Sequence, residues 1–129
     1  MLMVDRLLSA DEKSAVTVLE VRADNIFVTE GAMVPYAIVE NMAQTCAAHL
    51  GYTDVYVHGH TGVRVGYIGS VKRMRIEAAP RVGETLRTRI EVVADFGDMK
   101  LVTAESFLDD RRIAVAELTI ALSGENIGL

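Results

Sequence analysis

The segment Val34–Tyr52, VPYAIVENMAQTCAAHLGY, constrains the fold more than any other. Apolar residues at Ile38, Val39, Met42, Ala43, Cys46, Ala47 and Leu50 recur at helical spacing and leave no broad polar face. Such a helix has to be covered by other elements. Pro35 suits its first turn, where the missing N–H is not needed, and Gly51 suits a left-handed C-cap. Within this apolar helix stand Glu40 and, one turn on, Gln44. A buried carboxylate is costly unless it is paired or used, so Glu40 is the first candidate for function.

The rest of the chain reads as strands. Met1–Leu8 is a short apolar run and Ser14–Val21 is rich in β-formers. Arg22–Ala32 is a loop that pivots at Gly31. After the helix, Asp54–Gly62 is a connection carrying His58 and His60. Val63–Ile76 is a long β-like segment whose apolar phase switches near Gly66 and Gly69, which predicts a bulge or a sharp bend. Thr85–Ala94 alternates, with Leu86, Ile90 and Val92 opposite Arg87, Arg89 and Glu91. Met99–Leu108 and Arg112–Ser123 follow, divided by turns at Gly97 and at Asp109-Asp110. The expected order is strand, strand, long helix, then four strands in a meander. This is an α+β chain in which a curved antiparallel sheet of about six strands wraps one central helix. Two open sheet edges invite pairing with a second copy, so a homodimer is expected.

A chain of 129 residues, half of them hydrophobic, suits one domain, 1–129, with a sizeable core. The net charge of −5, the interspersed charges and the low aromatic content disfavour nucleic-acid binding. No apolar run is long enough for a transmembrane helix, and the N-terminus lacks signal-peptide features, so no membrane association and a cytoplasmic location are expected. Cys46 is the single cysteine, which excludes an internal disulfide and a cysteine-rich zinc site. On the helix it reads as a packing residue.

Three segments carry a family resemblance. VENMAQ is similar to the EAMAQ helix motif of the hotdog-fold 3-hydroxyacyl-ACP dehydratases of fatty-acid and polyketide synthesis, with Glu40 and Gln44 in register. MLMVDRLL resembles that family's opening strand, and APRVGETLRTRIEV resembles the segment after its long strand. The chain departs from the family at one point. The dehydratases carry a Gly-His-Phe-Pro loop before the helix, whose histidine is half of the catalytic pair. The matching loop here, Phe27–Pro35, has no histidine. VPYAIVENMAQTCAAHLG resembles more closely the dehydratase-like subset of aryl-polyene-type clusters, which also lacks that histidine.

The resemblance implies a hotdog fold and a lyase-type reaction on acyl-carrier-protein or CoA thioesters, with no cofactor. Dehydration needs a base for the α-proton, an acid for the leaving hydroxyl, and N–H dipoles for the thioester oxygen. Glu40 would be the acid, or acid and base in turn. Gln44 would orient it, or else satisfy backbone groups. The helix start, with Pro35, Tyr36 and Ala37, would hold the thioester. In hotdog enzymes the long strand lines the acyl tunnel, where Gly66, Tyr67 and Gly69 fall; the glycines read equally well as a bulge. Arg64, Lys72, Arg73 and Arg75 form a basic stretch that would dock an acidic carrier protein, or be an ordinary solvated face.

Other readings stay open. Glu40 would be structural if it is hydrogen-bonded across a dimer. The chain would be non-catalytic if it binds acyl thioesters or supports an active dehydratase as one half of a heterodimer or higher oligomer. It would be a thioesterase if Glu40 activates water. His49, nine residues after Glu40, should point to the opposite side of the helix and reads as packing. His58 and His60 read as a solvated loop rather than a metal pair, since catalytic zinc generally takes three protein ligands.

Overall fold

The alternating segments become strands close to where their patterns end. A computed structural model of the chain describes residues 2–59 and 64–126. In chain order the elements are β1 (Arg6–Ala10), β2 (Ser14–Glu20), the two-residue strands β3 (Val28–Thr29) and β4 (Ala32–Met33), α1 (Pro35–Tyr52), β5 (Arg64–Ile76), β6 (Thr85–Asp95), β7 (Met99–Leu108) and β8 (Arg111–Asn126). Six strands form one antiparallel sheet in the order β1-β2-β6-β7-β8-β5. The sheet closes over α1, so the fold is the expected curved sheet around one helix.

The expected four-strand meander is corrected. Of those four strands, only β6, β7 and β8 follow one another as neighbours; β5 pairs with β8 and forms the far edge. The free side of β6 is taken by β2, through Ser14↔Glu91 to Glu20↔Thr85, so β5 has to cross to the other end of the sheet. The predicted irregularity in β5 is present. Its register shifts between Arg64 and Gly66, between Ile68 and Ser70, and again between Lys72 and Arg75, where Arg73 adopts φ +52°.

The helix begins with Val34 as N-cap and Pro35 in the first turn, as its sequence predicts. Its end differs from the expectation. Gly51 stays helical, and the chain runs on through one wider turn, Thr53–Val57, closed by the His58 N–H on the Thr53 carbonyl at 2.9 Å. The Thr53 N–H caps His49 and Leu50, so no left-handed glycine is needed there. Gly31 does pivot the preceding loop: Glu30 (φ +54°) and Gly31 (φ +80°) form the tight link between β3 and β4.

The concave face supplies the core: Leu86, Ile90, Val102, Ala104, Ala114, Ala116, Leu118 and Ile120 pack against Ala37, Ile38, Met42 and Cys46 of α1. The helix is not covered all round. One sheet reaches one side of it, and the opposite stripe, Tyr36, Val39, Glu40, Ala43 and Ala47, is half-buried or exposed in the single chain. Met42, fully buried at the centre of the contact, sets the expected sensitivity: Met42→Ala lowers stability by about 2–5 kcal/mol, measurable by urea denaturation. A change below about 1 kcal/mol would show that the contact between helix and sheet is not the core of the fold.

Candidate functional site

Glu40 lies on the uncovered stripe of α1, one turn from Pro35. Helical spacing brings three side chains together there. The Gln44 amide Nε2 donates to Glu40 Oε1 at 3.2 Å, and the Tyr36 hydroxyl approaches Oε2 at 3.4 Å. Tyr36 is 60% exposed and its ring leans on Phe27, with centroids 5.6 Å apart. Glu40 is half-buried in the single chain rather than enclosed, because the sheet covers the other side of the helix. A carboxylate in that position can hold or release a proton toward any group placed against the stripe.

The helix start offers less than the sequence promised. Pro35 has no N–H, the Val34 N–H is bound by the Phe27 carbonyl, and the Ala37 N–H by the Val34 carbonyl. Ala37 is also fully buried. Of Val34–Ala37, the Tyr36 N–H is the one with no backbone partner among the described residues. It sits at the positive end of the helix dipole, one turn before Glu40.

The strand residues lie elsewhere. Tyr67 is 61% exposed on β5. Gly66 faces inward at the C-terminal end of α1, where a Cβ would meet the Ile120 side chain at 3.0 Å and the Leu50 side chain at 3.5 Å. A side chain here would need Ile120 of β8 to give way by a few tenths of an ångström, while its contact with Leu50 of the helix would be ordinary. At Gly69 a Cβ would make only ordinary contacts. Lys72, Arg73 and Arg75 are exposed on β5, and Arg73 is paired with Glu117 at 2.9 Å; the side chain of Arg64 lies outside the described residues.

The histidines stand apart from Glu40. His49 is buried on the sheet side of α1, and its Nε2 lies 2.9 Å from the Asp11 carbonyl. A carbonyl only accepts, so the neutral ring carries its proton on Nε2 and donates. Burial is the main cause that holds the His49 pKa below its ordinary 6.5. Its neighbours include the Cys46 thiol, pushed up to about 12 by burial and therefore inert as a nucleophile, and Lys100. His58 follows the helix at the opposite end from Glu40, beside a cavity of about 370 Å³ lined by Thr53, Val92, Asp95 and Lys100 among others. His60 lies outside the described residues. Among the described residues no three His, Cys, Asp or Glu side chains gather as a metal site, and no helix is long and apolar enough to cross a membrane.

Sequence reasoning missed a polar seam under the helix. Asn41, Thr45 and His49 are all buried on the sheet side: Asn41 meets Thr88, which in turn meets Ser106, Thr45 meets Thr17, and His49 meets the Asp11 carbonyl. The signal was present: Asn41, Thr45 and His49 repeat every fourth residue, which places them on one ridge of the helix.

Against this geometry, the comparisons decide the family. The model of the ApeP-like family, described as ApeP dehydratase, matches residues 1–125. The chain belongs to the ApeP-like dehydratase family. It is also similar to a 3-hydroxyacyl-[acyl-carrier-protein] dehydratase FabZ of Desulfotalea psychrophila, 26% identical over 94% of this chain and 83% of that protein. In fold it matches the dehydratase heterocomplex ApeI:P of Xenorhabdus doucetiae with a TM-score of 0.85, at 12% identity over 96% of this chain and 84% of the other. A thioesterase-type protein of Streptococcus pneumoniae, solved with coenzyme A, matches with a TM-score of 0.72 at 11% identity, over 95% and 90% of the two chains. The fold is the hotdog fold.

The direction of the His49 shift gives a sign for pH. The folded state holds the ring neutral while the unfolded chain protonates near 6.5. Stability is therefore fully present above about pH 6.5 and falls as the pH drops below it, because the unfolded state then binds more protons. Thermal unfolding between pH 5 and 7.5 should show this fall, reduced in His49→Gln. An equal pH slope in both proteins would assign the effect to other groups.

Proposed function

We propose that this chain is one subunit of a 3-hydroxyacyl-thioester dehydratase acting on acyl groups carried by an acyl carrier protein, with Glu40 as its catalytic carboxylate. The observation that supports it is the Glu40 carboxylate, held by Gln44 and faced by the Tyr36 hydroxyl on an uncovered helix face, in a chain of a dehydratase family. In the reaction the α-proton leaves to a base, the C–O bond at the β-carbon breaks, and the hydroxyl departs as water after taking a proton. A carbon–carbon double bond remains beside the thioester. Glu40 supplies the proton to the hydroxyl. The Tyr36 N–H points its dipole at the thioester oxygen as charge grows there. Gly66, Tyr67 and Gly69 of β5 would bound the acyl chain, and the exposed Lys72 and Arg75 would meet the acidic surface of a carrier protein.

The second proton-transfer group has to come from elsewhere, since His49 is buried on the far side of α1 and His58 lies beyond its end. A partner subunit seated on the Tyr36–Ala47 stripe and on the open edge of β5 supplies it in this reading. The similar ApeI:P structure is a heterocomplex, which favours a second, different hotdog chain over a second copy.

The test follows enoyl-thioester formation from short and medium 3-hydroxyacyl-ACP by mass spectrometry, with the chain alone and mixed with a hotdog chain that carries the loop histidine. Glu40→Gln should lower turnover by about 10²–10⁴-fold in whichever assembly is active. Unchanged turnover in Glu40→Gln would remove Glu40 from the chemistry, and release of the free acid instead of the enoyl product would make the protein a thioesterase.

A further inference from the structure

The buried polar seam does not end inside the core; it leads to Glu40. Met3 is fully buried against α1, and both polar atoms of its peptide backbone are held by helix side chains. Asn41 Nδ2 donates to the Met3 carbonyl at 2.7 Å, and the Met3 N–H donates to Gln44 Oε1 at 2.6 Å. Asn41 is itself held from the sheet: Thr88 Oγ1 donates to Asn41 Oδ1 at 2.6 Å. Thr88 has one proton, so at 2.7 Å from Ser106 it accepts from the Ser106 hydroxyl. The Asn25 amide also touches the Met3 sulfur, at 3.5 Å.

Each link in this chain runs in one direction. Because Met3 N–H occupies the Gln44 oxygen, the Gln44 NH₂ is turned toward Glu40, where it meets Oε1 at 3.2 Å. The flipped amide would set its oxygen against the carboxylate and leave Met3 N–H facing NH₂. The sense of the Glu40–Gln44 bond is therefore decided at Met3, and the place of Met3 is decided by Asn41 and Thr88.

We infer that Asn41 and Thr88 are positioning residues that fix the Glu40 carboxylate through the peptide of Met3 and the amide of Gln44. This rests on the reading of Glu40 as the catalytic carboxylate. The N-terminal segment thereby takes part in the site through the backbone of Met3. A network serving the core alone would need nothing from Gln44, which is only half-buried.

Two near-isosteric variants test it. Asn41→Asp replaces the donor that faces the Met3 carbonyl with an oxygen, and Thr88→Val removes the hydroxyl that holds Asn41. Two-dimensional NMR reads the side-chain amide signals of Gln44 and the exchange of the Met3 amide proton. In both variants the Gln44 signals should move and Met3 exchange should quicken by about tenfold or more, since its bond to Gln44 opens more often. Thr88→Val keeps the test alive if Asn41→Asp does not fold. Gln44 signals and Met3 exchange unchanged in a variant with an otherwise native spectrum would overturn the inference.

Kinetics in the active assembly give the second readout. In either variant kcat should fall by about tenfold with KM within about twofold, and Asn41→Asp should add less than about twofold to a Gln44→Ala background, because it acts through Gln44. Full additivity of the two substitutions would overturn the inference. Native turnover by Glu40→Gln is a different failure: it removes the catalytic reading of Glu40, while the NMR result still decides whether Asn41 and Thr88 orient Gln44.

Discussion

The contact between α1 and the concave face of the sheet is the constraint on which the rest of the structure depends. It is apolar at Ile38, Met42, Leu86, Ile90 and Leu118, and polar along one ridge where Asn41, Thr45 and His49 enter it. Dispersion and burial hold the two layers together but are tolerant of small shifts. Hydrogen bonds are not. Thr45 meets Thr17 at 2.8 Å, Asn41 meets Thr88 at 2.6 Å, and His49 meets the Asp11 carbonyl at 2.9 Å. Each bond ties the helix to a different strand or turn, so its rotation and height on the sheet are set together. Leaving any of these buried groups unpaired would cost about 1–3 kcal/mol.

That rotation determines where Glu40 is. With Asn41, Thr45 and His49 turned inward, Tyr36, Glu40, Ala43 and Ala47 must face out, because residues three and four apart share a helix side. The carboxylate is thus displayed on a stripe of small residues at the boundary of the chain rather than in a pocket of its own. The stripe and the edge of β5 are surfaces that the described single chain leaves uncovered. A histidine absent from Phe27–Pro35 and a helix covered on one side are consistent with a site that a second subunit completes.

The fold was legible in the sequence where the pattern was local and one-sided. Thr85–Ala94 alternates, and β6 is Thr85–Asp95; the phase switch at Gly66 and Gly69 became register shifts in β5. The place of β5 beside β8 was not legible, because periodicity says which face of a strand is buried and nothing about its neighbour. Glu40 and Gln44 stood out as polar groups in an apolar helix, and they do meet. Asn41 was passed over because an amide within one polar cluster looks like any other; its importance comes from Met3 and Thr88, 38 and 47 residues away. Gly51 was misread as a cap because glycine marks a helix end only when the chain turns there, and here it continues into a wider turn.

By itself the sequence determined the element types, the apolar helix that had to be wrapped, the motif VENMAQ and the missing loop histidine. These follow from residue type and spacing along the chain, which short-range sterics and burial translate directly into helix and strand. Only the tertiary structure decided which side of α1 is covered, which strands lie at the edges, and which N–H groups at the helix start are taken by backbone carbonyls. It also decided the sense of the hydrogen bonds that run from Ser106 through Met3 to Glu40. Those outcomes depend on groups far apart in sequence being brought within 3 Å or so of one another, and a hydrogen bond has a direction only when both of its partners are in place.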